Sequence, residues 1–347
     1  MSAVKADALQ RFAAQIFARA GLPDAHAALV AEVLVWANLR GMDSHGVMRI
    51  PRYVALIEAG DMNPLPTLAI ASETAASVLL DADRAAGPVA MTAAIDHAMR
   101  KARAAGIGLA LVRATTHTAA LGYYTSRAAV AGMAGLAISA SWPNMAYHGA
   151  RAAGVATSPL SIAVPGGDAE PIVLDMASGI VSVGKLAQAR RAGRPIPEGW
   201  AFDADGNPTT DPTRAQIPLP LGGPKGSGLA LMIELITSLI VANPILAESL
   251  EGTETGRHHR QNGAAIAIDI ARFGDVAVFR REAARLARAL KALPRVPDTE
   301  EILLPGERGH RTRASRARAG IALPAPIAAE LAALAQKLGV PPLSAGR

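Results

Sequence analysis

The segment DSHGVMRIPRY, residues 43–53, places an imidazole, a guanidinium and a phenol at four-residue intervals: His45, Arg49 and Tyr53. Histidine is the side chain whose ordinary pKa lies nearest neutrality, so His45 can give or take a proton at small cost. In a helical conformation the three side chains project from one face. Pro51 works against an unbroken helix, because it lacks a backbone donor and crowds the preceding turn. Asp43 and Ser44 stand beside the imidazole, where hydrogen bonds can fix its tautomer or position. A proton donor next to a guanidinium suits reduction of a 2-oxo acid, with Arg49 gripping the carboxylate and His45 protonating the carbonyl oxygen. The plainer alternative is helix capping by Ser44, with His45 on a surface turn.

Other polar segments offer related chemistry. His117, in RATTHTAALGYY, falls between a predicted strand and a predicted helix. Ligands tend to bind at such strand ends, and amides at a helix start suit a phosphate or a carboxamide. His148, in AYHGAR, has a similar setting. The turn GGPKGSG, residues 222–228, combines glycines that permit close backbone approach, the cation of Lys225 and a following helix, a combination suited to phosphate. It is neither a Walker loop nor a Rossmann fingerprint. A polar turn histidine and a tight turn into a core helix are the alternatives for these segments.

Several classes are excluded or disfavoured. The 347-residue chain has no cysteine, which rules out disulfides, thiolate nucleophiles and cysteine-ligated metals. His258 and His259 lack nearby carboxylates or a third histidine at ligand spacing, so no metal is expected. No Gly-x-Ser-x-Gly elbow supports a hydrolase. Asp203, Asp205 and Gly206 imitate the start of a calcium loop without its closing glutamate, and read as a turn. Aromatic residues make up 3% of the chain, too few for the stacking platforms of single-strand nucleic-acid binders. The net charge of +6 gathers at Arg257, Arg260, Arg308, Arg311, Arg313, Arg316 and Arg318. Such a patch attracts anions in general and reads first as a solvated surface. No signal-peptide h-region or membrane-length apolar run is present, so a soluble cytoplasmic protein is expected.

Periodicity supplies the elements that must hold these residues. Leu9, Phe12, Ile16 and Phe17 mark a first helix, ended by Gly21 and Pro23, and Asp24 is placed to cap a second that runs to Gly41. A helix is predicted over 85–105, a strand over 107–112, a helix over 122–131 and strands over 136–139 and 172–174. A helix near Val183, a loop at 202–212, a helix over 229–241, a strand over 264–270 and a basic helix over 281–293 follow. An arginine-rich loop after Leu304 leads to a last helix over 326–338. Strands alternating with helices point to an α/β layer.

In order and spacing, DSHGVMRIPRY, HTAALGYY, TSPLSIAVP, IVLDMASGIVSVGK, WAFDADGNPTTDP, GGPKGSG and LLPGERG resemble the type 2 malate/L-lactate dehydrogenases. That family includes ureidoglycolate and sulfolactate dehydrogenases and cyclic ketimine reductases. The resemblance covers nearly the whole chain. It implies that His45 is the proton donor and acceptor, assisted by Ser44, and that Arg49 binds the substrate carboxylate, with Tyr53 and Thr157 at the substrate. It places His117, Thr118, Ala119, Ala120, Leu121, Ser141, Asp175, Met176, Ala177, Gly184, Lys225, Gly306 and Glu307 around NAD or NADP. The implied fold is a mixed α/β, non-Rossmann one. Its nicotinamide-binding domain, 76–242, is inserted in a helical and sheet domain of 1–75 plus 243–300, with a C-terminal helical segment at 301–347.

The resemblance further implies a homodimer acting on a small carboxylate, without nucleic-acid or membrane partners. Trp142 stands where the ureidoglycolate branch carries an aspartate, and Lys185 where ketimine reductases carry one. Ala156-Thr157-Ser158-Pro159 replaces the usual Gly-Thr-Asn-Pro, and Ala114-Thr115 the usual Asn-Ser. The expected reaction is interconversion of a 2-oxo acid and a 2-hydroxy acid with NAD(P)H. Reduction of a cyclic ketimine with NADPH is the alternative, and non-catalytic nucleotide or nucleic-acid binding the alternative from another class.

Overall fold

The computed structural model describes residues 3–167, 170–253 and 260–343. Among these residues, seven strands form one sheet in the order Ala69–Glu73, Ser77–Asp81, Ile107–Thr115, Gln261–Asp269, Met133–Ala140, Leu160–Val164, Ile172–Met176. Ser77–Asp81 and Ile107–Thr115 pair in parallel, and the helix Gly87–Ala105 makes the crossover that a parallel pair requires. The remaining pairings are antiparallel. The fold is thus the mixed, non-Rossmann α/β arrangement expected.

Small residues let helix and sheet approach closely. The crossover helix buries Ala90, Ala94, Ala98 and Ala102, one ridge at four-residue spacing. A Cβ at Gly108 would lie 2.0 Å from the Ala98 carbonyl oxygen, and one at Gly263 would lie 2.7 Å from Met91 Sδ. A core poor in aromatics is therefore built from short distances between backbones.

The sheet crosses the expected domain boundaries. Gln261–Asp269, expected with residues 1–75, pairs on both sides with strands drawn from 76–242. One apolar core joins Leu9, Val33, Ile95, Ala110, Ala265 and Leu331, and Val4 pairs with Ile321. A satellite cluster of Val181, Leu186, Ile196, Ala201 and Ala215 lies beneath the helix Val183–Ala192 and a three-stranded sheet.

The first helices, Ala6–Arg19 and Asp24–Leu39, follow the apolar pattern, although Asp24 is the first helical residue and Pro23 precedes it. Two segments differ from expectation. The helix expected over 229–241 begins earlier, at Pro224–Glu234, and gives way to a π turn at Leu235–Leu239. Proline fits the first turn, where a backbone N–H has no helical partner. The arginine-rich stretch after Leu304 is the helix Glu307–Ala319 rather than a loop. It lacks an apolar stripe and is held by ion pairs, Arg313 to Glu170 at 3.1 Å and Arg316 to Asp43 at 2.6 Å among them.

Candidate active site

After Asp24–Leu39 the chain passes through two 3-10 turns, Asp43–His45 and Val47–Arg49, into the helix Ile50–Glu58. His45, Arg49 and Tyr53 therefore come from three successive elements. Pro51 lies in the first turn of the last one, where it breaks nothing. Asn38, buried at the end of the preceding helix, shapes the turn. Its Oδ1 accepts the Val47 N–H at 2.8 Å and its Nδ2 donates to Asp43 Oδ1 at 2.6 Å. A Cβ at Gly46 would lie 2.2 Å from Asn38 Oδ1, so only glycine fits there.

Ser44 Oγ lies 2.9 Å from His45 Nδ1, and Arg49 Nε donates to the Ser44 carbonyl at 2.6 Å. The rings of His45 and His117 stack, with centroids 5.7 Å apart and planes 25° apart. The buried Tyr53 hydroxyl lies 2.7 Å from His117 Nδ1 and donates to the His117 carbonyl at 2.9 Å. The Ala119 N–H donates to the same Nδ1 at 3.4 Å.

Burial, and then the Arg49 guanidinium, push the His45 imidazole down to about 4. Burial holds His117 well below the usual histidine range, with Arg49, His45 and Arg52 adding to it. Burial raises the Tyr53 phenol, against the pull of Arg49 and Arg52. The charged side chains that act on the two imidazoles are cationic, and no carboxylate is among them. Such a cluster favours an anionic ligand.

The residues expected around a nucleotide fall into linked groups. Thr118, Ala119, Ala120 and Leu121 are buried in the turn after Ile107–Thr115, and Ala119 has a left-handed φ of 55°. The next amide, Gly122 N, donates to Asp175 Oδ2 at 2.8 Å. Burial pushes the Asp175 carboxyl up to about 6, opposed by that hydrogen bond and by Arg40. Gly184 lies against Ser44, where a Cβ would come within 2.4 Å of Ser44 Cβ.

Thr157 belongs to a second group. Its carbonyl accepts the Ser178 N–H at 3.0 Å, and the Ser178 carbonyl accepts the Leu221 N–H at 2.9 Å. Gly226 of the glycine-rich turn packs on that same Ser178 carbonyl. Lys225 is exposed beside it, and among the described residues no ion pair engages it. Ser141, Met176 and Ala177 are half-buried at or just past the ends of Met133–Ala140 and Ile172–Met176, which flank Leu160–Val164, the last two leading into Ser178. Gly306 backs onto Val173 and its carbonyl accepts from Arg40 at 3.3 Å, whereas Glu307 is paired with Lys291 at 2.6 Å. Among the described residues no hydrogen bond or ion pair joins Thr157 or Lys225 to His45; the two groups meet through the run 175–178.

These residues fit a nicotinamide nucleotide in two respects. The Ser158 and Ser178 hydroxyls are buried without a hydrogen-bond partner beside Thr157 and the glycine-rich turn. That turn also borders a cavity of about 340 Å³ lined by Tyr147, His148, Phe202, Gly222 and Gly223. His148 is thus on the rim of this cavity, apart from the two stacked imidazoles. His258, His259 and Arg257 lie outside the described residues. Among the described residues no group of three His, Asp or Glu could hold a metal ion, and no helix is long and apolar enough to cross a membrane.

Sequence reasoning missed Asn38, Arg40 and Arg316. Asn38 sits in an otherwise apolar helical face, a signal that a buried polar residue has work to do. The two arginines gave none, since their partners are remote in the chain.

The family model described as malate/L-lactate dehydrogenase matches residues 4–332. A malate dehydrogenase of Pyrococcus horikoshii is 33% identical over 347 residues, covering 97% of this chain and 96% of that protein. A Pseudomonas putida delta(1)-pyrroline-2-carboxylate/delta(1)-piperideine-2-carboxylate reductase is 31% identical over 319 residues, covering 91% of this chain and 92% of that one. The crystal structure of malate dehydrogenase from Entamoeba histolytica superposes with a TM-score of 0.93 at 28% identity, covering 98% of each chain.

Proposed function

This chain belongs to the malate/L-lactate dehydrogenase family, and we propose that it interconverts a small 2-oxo acid and the matching 2-hydroxy acid. The observation that carries this reading is the cationic cluster in which His45 stacks on His117 beside Arg49. NAD or NADP, when bound, supplies or takes up the hydride. Arg49 binds the substrate carboxylate through its planar fork. His45 holds the proton that ends on the carbonyl oxygen, and Ser44 at Nδ1 leaves Nε2 to face the substrate. The free imidazole is kept neutral by burial and by Arg49. A carboxylate seated on Arg49 offsets that guanidinium, so the proton affinity of His45 rises as substrate binds. Tyr53 holds His117 in place, Thr157 touches the substrate, and the residues from His117 through Leu121, with Ser141, Asp175, Met176, Ala177, Gly184, Lys225, Gly306 and Glu307, surround the nucleotide.

The enzyme works as a homodimer in this reading. The exposed apolar row Met232, Ile236, Leu239 and Ile240 supports it, being 51%, 39%, 51% and 65% exposed in the single chain.

The test is a fluorescence titration with NADH and NADPH, followed by turnover with pyruvate, oxaloacetate and longer 2-oxo acids. Dinucleotide binding and reduction of at least one 2-oxo acid are expected. Piperideine-2-carboxylate belongs in the same panel because the Pseudomonas relative is named as its reductase. Reduction of that ketimine with no 2-oxo acid turned over replaces the reading, and absence of dinucleotide binding removes it.

A further inference from the structure

We propose that Arg316, on the helix Glu307–Ala319, is a positioning residue for His45 that acts through Asp43 and Asn38. Arg316 Nη1 donates to Asp43 Oδ1 at 2.6 Å and Nη2 to Oδ2 at 3.0 Å, a two-pronged pairing. Nη1 also donates to the Asn38 carbonyl. Asn38 in turn holds both Asp43 and Val47. The residues on either side of Ser44, His45 and Gly46 are therefore tied to one asparagine, and that asparagine and Asp43 are tied to one guanidinium. Only three residues lie between these anchors, so the direction of the imidazole is set by where the anchors stand.

The guanidinium is itself fixed in space. His310, on the same helix, lies 3.0 Å from Arg40 Nη1 through Nδ1 and 2.8 Å from the Pro171 carbonyl through Nε2. The imidazole is faced by Ser44, Arg49 and the His117 ring, with Gly184 closing behind Ser44. Arg52 and Tyr53 bear on it through His117. Asp43 is turned toward Arg316 and Asn38, away from the imidazole that its place in the sequence suggested it would orient directly. Losing Arg316 frees the turn without removing any group that touches substrate. Displacement of a reacting group by about 1 Å costs roughly 10²-fold in rate.

The role rests on His45 being the proton-bearing group, and the experiment separates the two claims. Full-length Arg316→Ala, Arg316→Lys and Asp43→Asn are compared with Arg313→Ala, which removes a pair on the same helix that leads to Glu170 instead. In Arg316→Ala, kcat is expected to fall roughly 10²-fold with dinucleotide affinity retained. Arg316→Lys, which keeps the charge and loses the fork, is expected to fall between it and wild type. Nitrogen-15 shifts of the His45 ring, assigned with His45→Ala, report which ring nitrogen bears the proton. They are expected to move in Arg316→Ala and Asp43→Asn and to stay in Arg313→Ala.

Wild-type kcat with unmoved ring shifts overturns the proposal, as does an equal loss in Arg313→Ala. If Arg316→Ala does not fold, Arg316→Lys and Asp43→Asn decide by the same two readouts. Retained turnover in His45→Ala together with moved ring shifts in Arg316→Ala removes the proton-donor reading and leaves the positioning one standing.

Discussion

The turn at residues 43–53 and the glycine-rich turn at 222–228 both read as sites of chemistry, and they are built in opposite ways. Side chains hold the first: Asn38, Asp43, Ser44, Tyr53 and His117 close it with hydrogen bonds of 2.6–2.9 Å. Backbone holds the second: Gly222 and Gly223 take φ values of 58° and 61°, and Gly226 is wedged against Ser178 and Leu221 while Lys225 points outward. Proton transfer needs an imidazole fixed to a fraction of an ångström, which demands directional side-chain bonds. A nucleotide that must enter and leave needs accessible backbone and an open cation.

Four measurements break or sharpen that contrast. His45→Ala is expected to lower kcat by roughly 10²–10⁴-fold while NADH and NADPH titrations stay near wild type. Equal damage to cofactor affinity would merge the two turns into one functional unit. Arg49→Lys keeps a charge but loses the planar fork, and kcat/KM for the 2-oxo acid should drop by about 10–100-fold, mainly through KM. An unchanged KM moves carboxylate recognition elsewhere.

Gly226→Ala tests the second turn, because its Cβ would stand 2.4 Å from the Ser178 carbonyl oxygen. Backbone must shift, at a cost of about 1–3 kcal/mol, so a lower unfolding temperature and weaker dinucleotide binding are expected, with the His45 ring shifts unmoved.

The smallest effect is on pH dependence. The two imidazoles are kept neutral in the fold, His45 at about 4 and His117 well below the ordinary value. The unfolded chain takes up protons first, near the ordinary histidine value of about 6.5. Their contribution to stability is present above that value and is lost as pH falls toward about 4. Unfolding temperature across this window should decline in wild type and decline less in His45→Ala; parallel curves would detach the effect from that turn.

Much of this was legible in the chain. His45, His117 and GGPKGSG announce themselves by residue type, and strong apolar periodicity delimits Ala6–Arg19, Asp24–Leu39 and Gly87–Ala105 to within a few residues. The edge strand Ala69–Glu73 was hidden because it is exposed along its length and so shows no alternation. Leu160–Val164 is short, and its serine packs inward on Thr125 at 2.7 Å. Glu307–Ala319 has no buried residue, and its ion-pair partners Glu170 and Asp43 stand in other parts of the chain. Local pattern reveals an element that buries one face. It is silent about one held by charges at a distance.

The place of Gln261–Asp269 in the middle of the sheet has a consequence for synthesis. Its two neighbours, Ile107–Thr115 and Met133–Ala140, leave the ribosome long before it does, with residues 141–260 made in between. At roughly 5–20 residues per second, two apolar edges wait several seconds for the strand that joins them. Until that strand emerges, each unpaired edge is a template for wrong pairing.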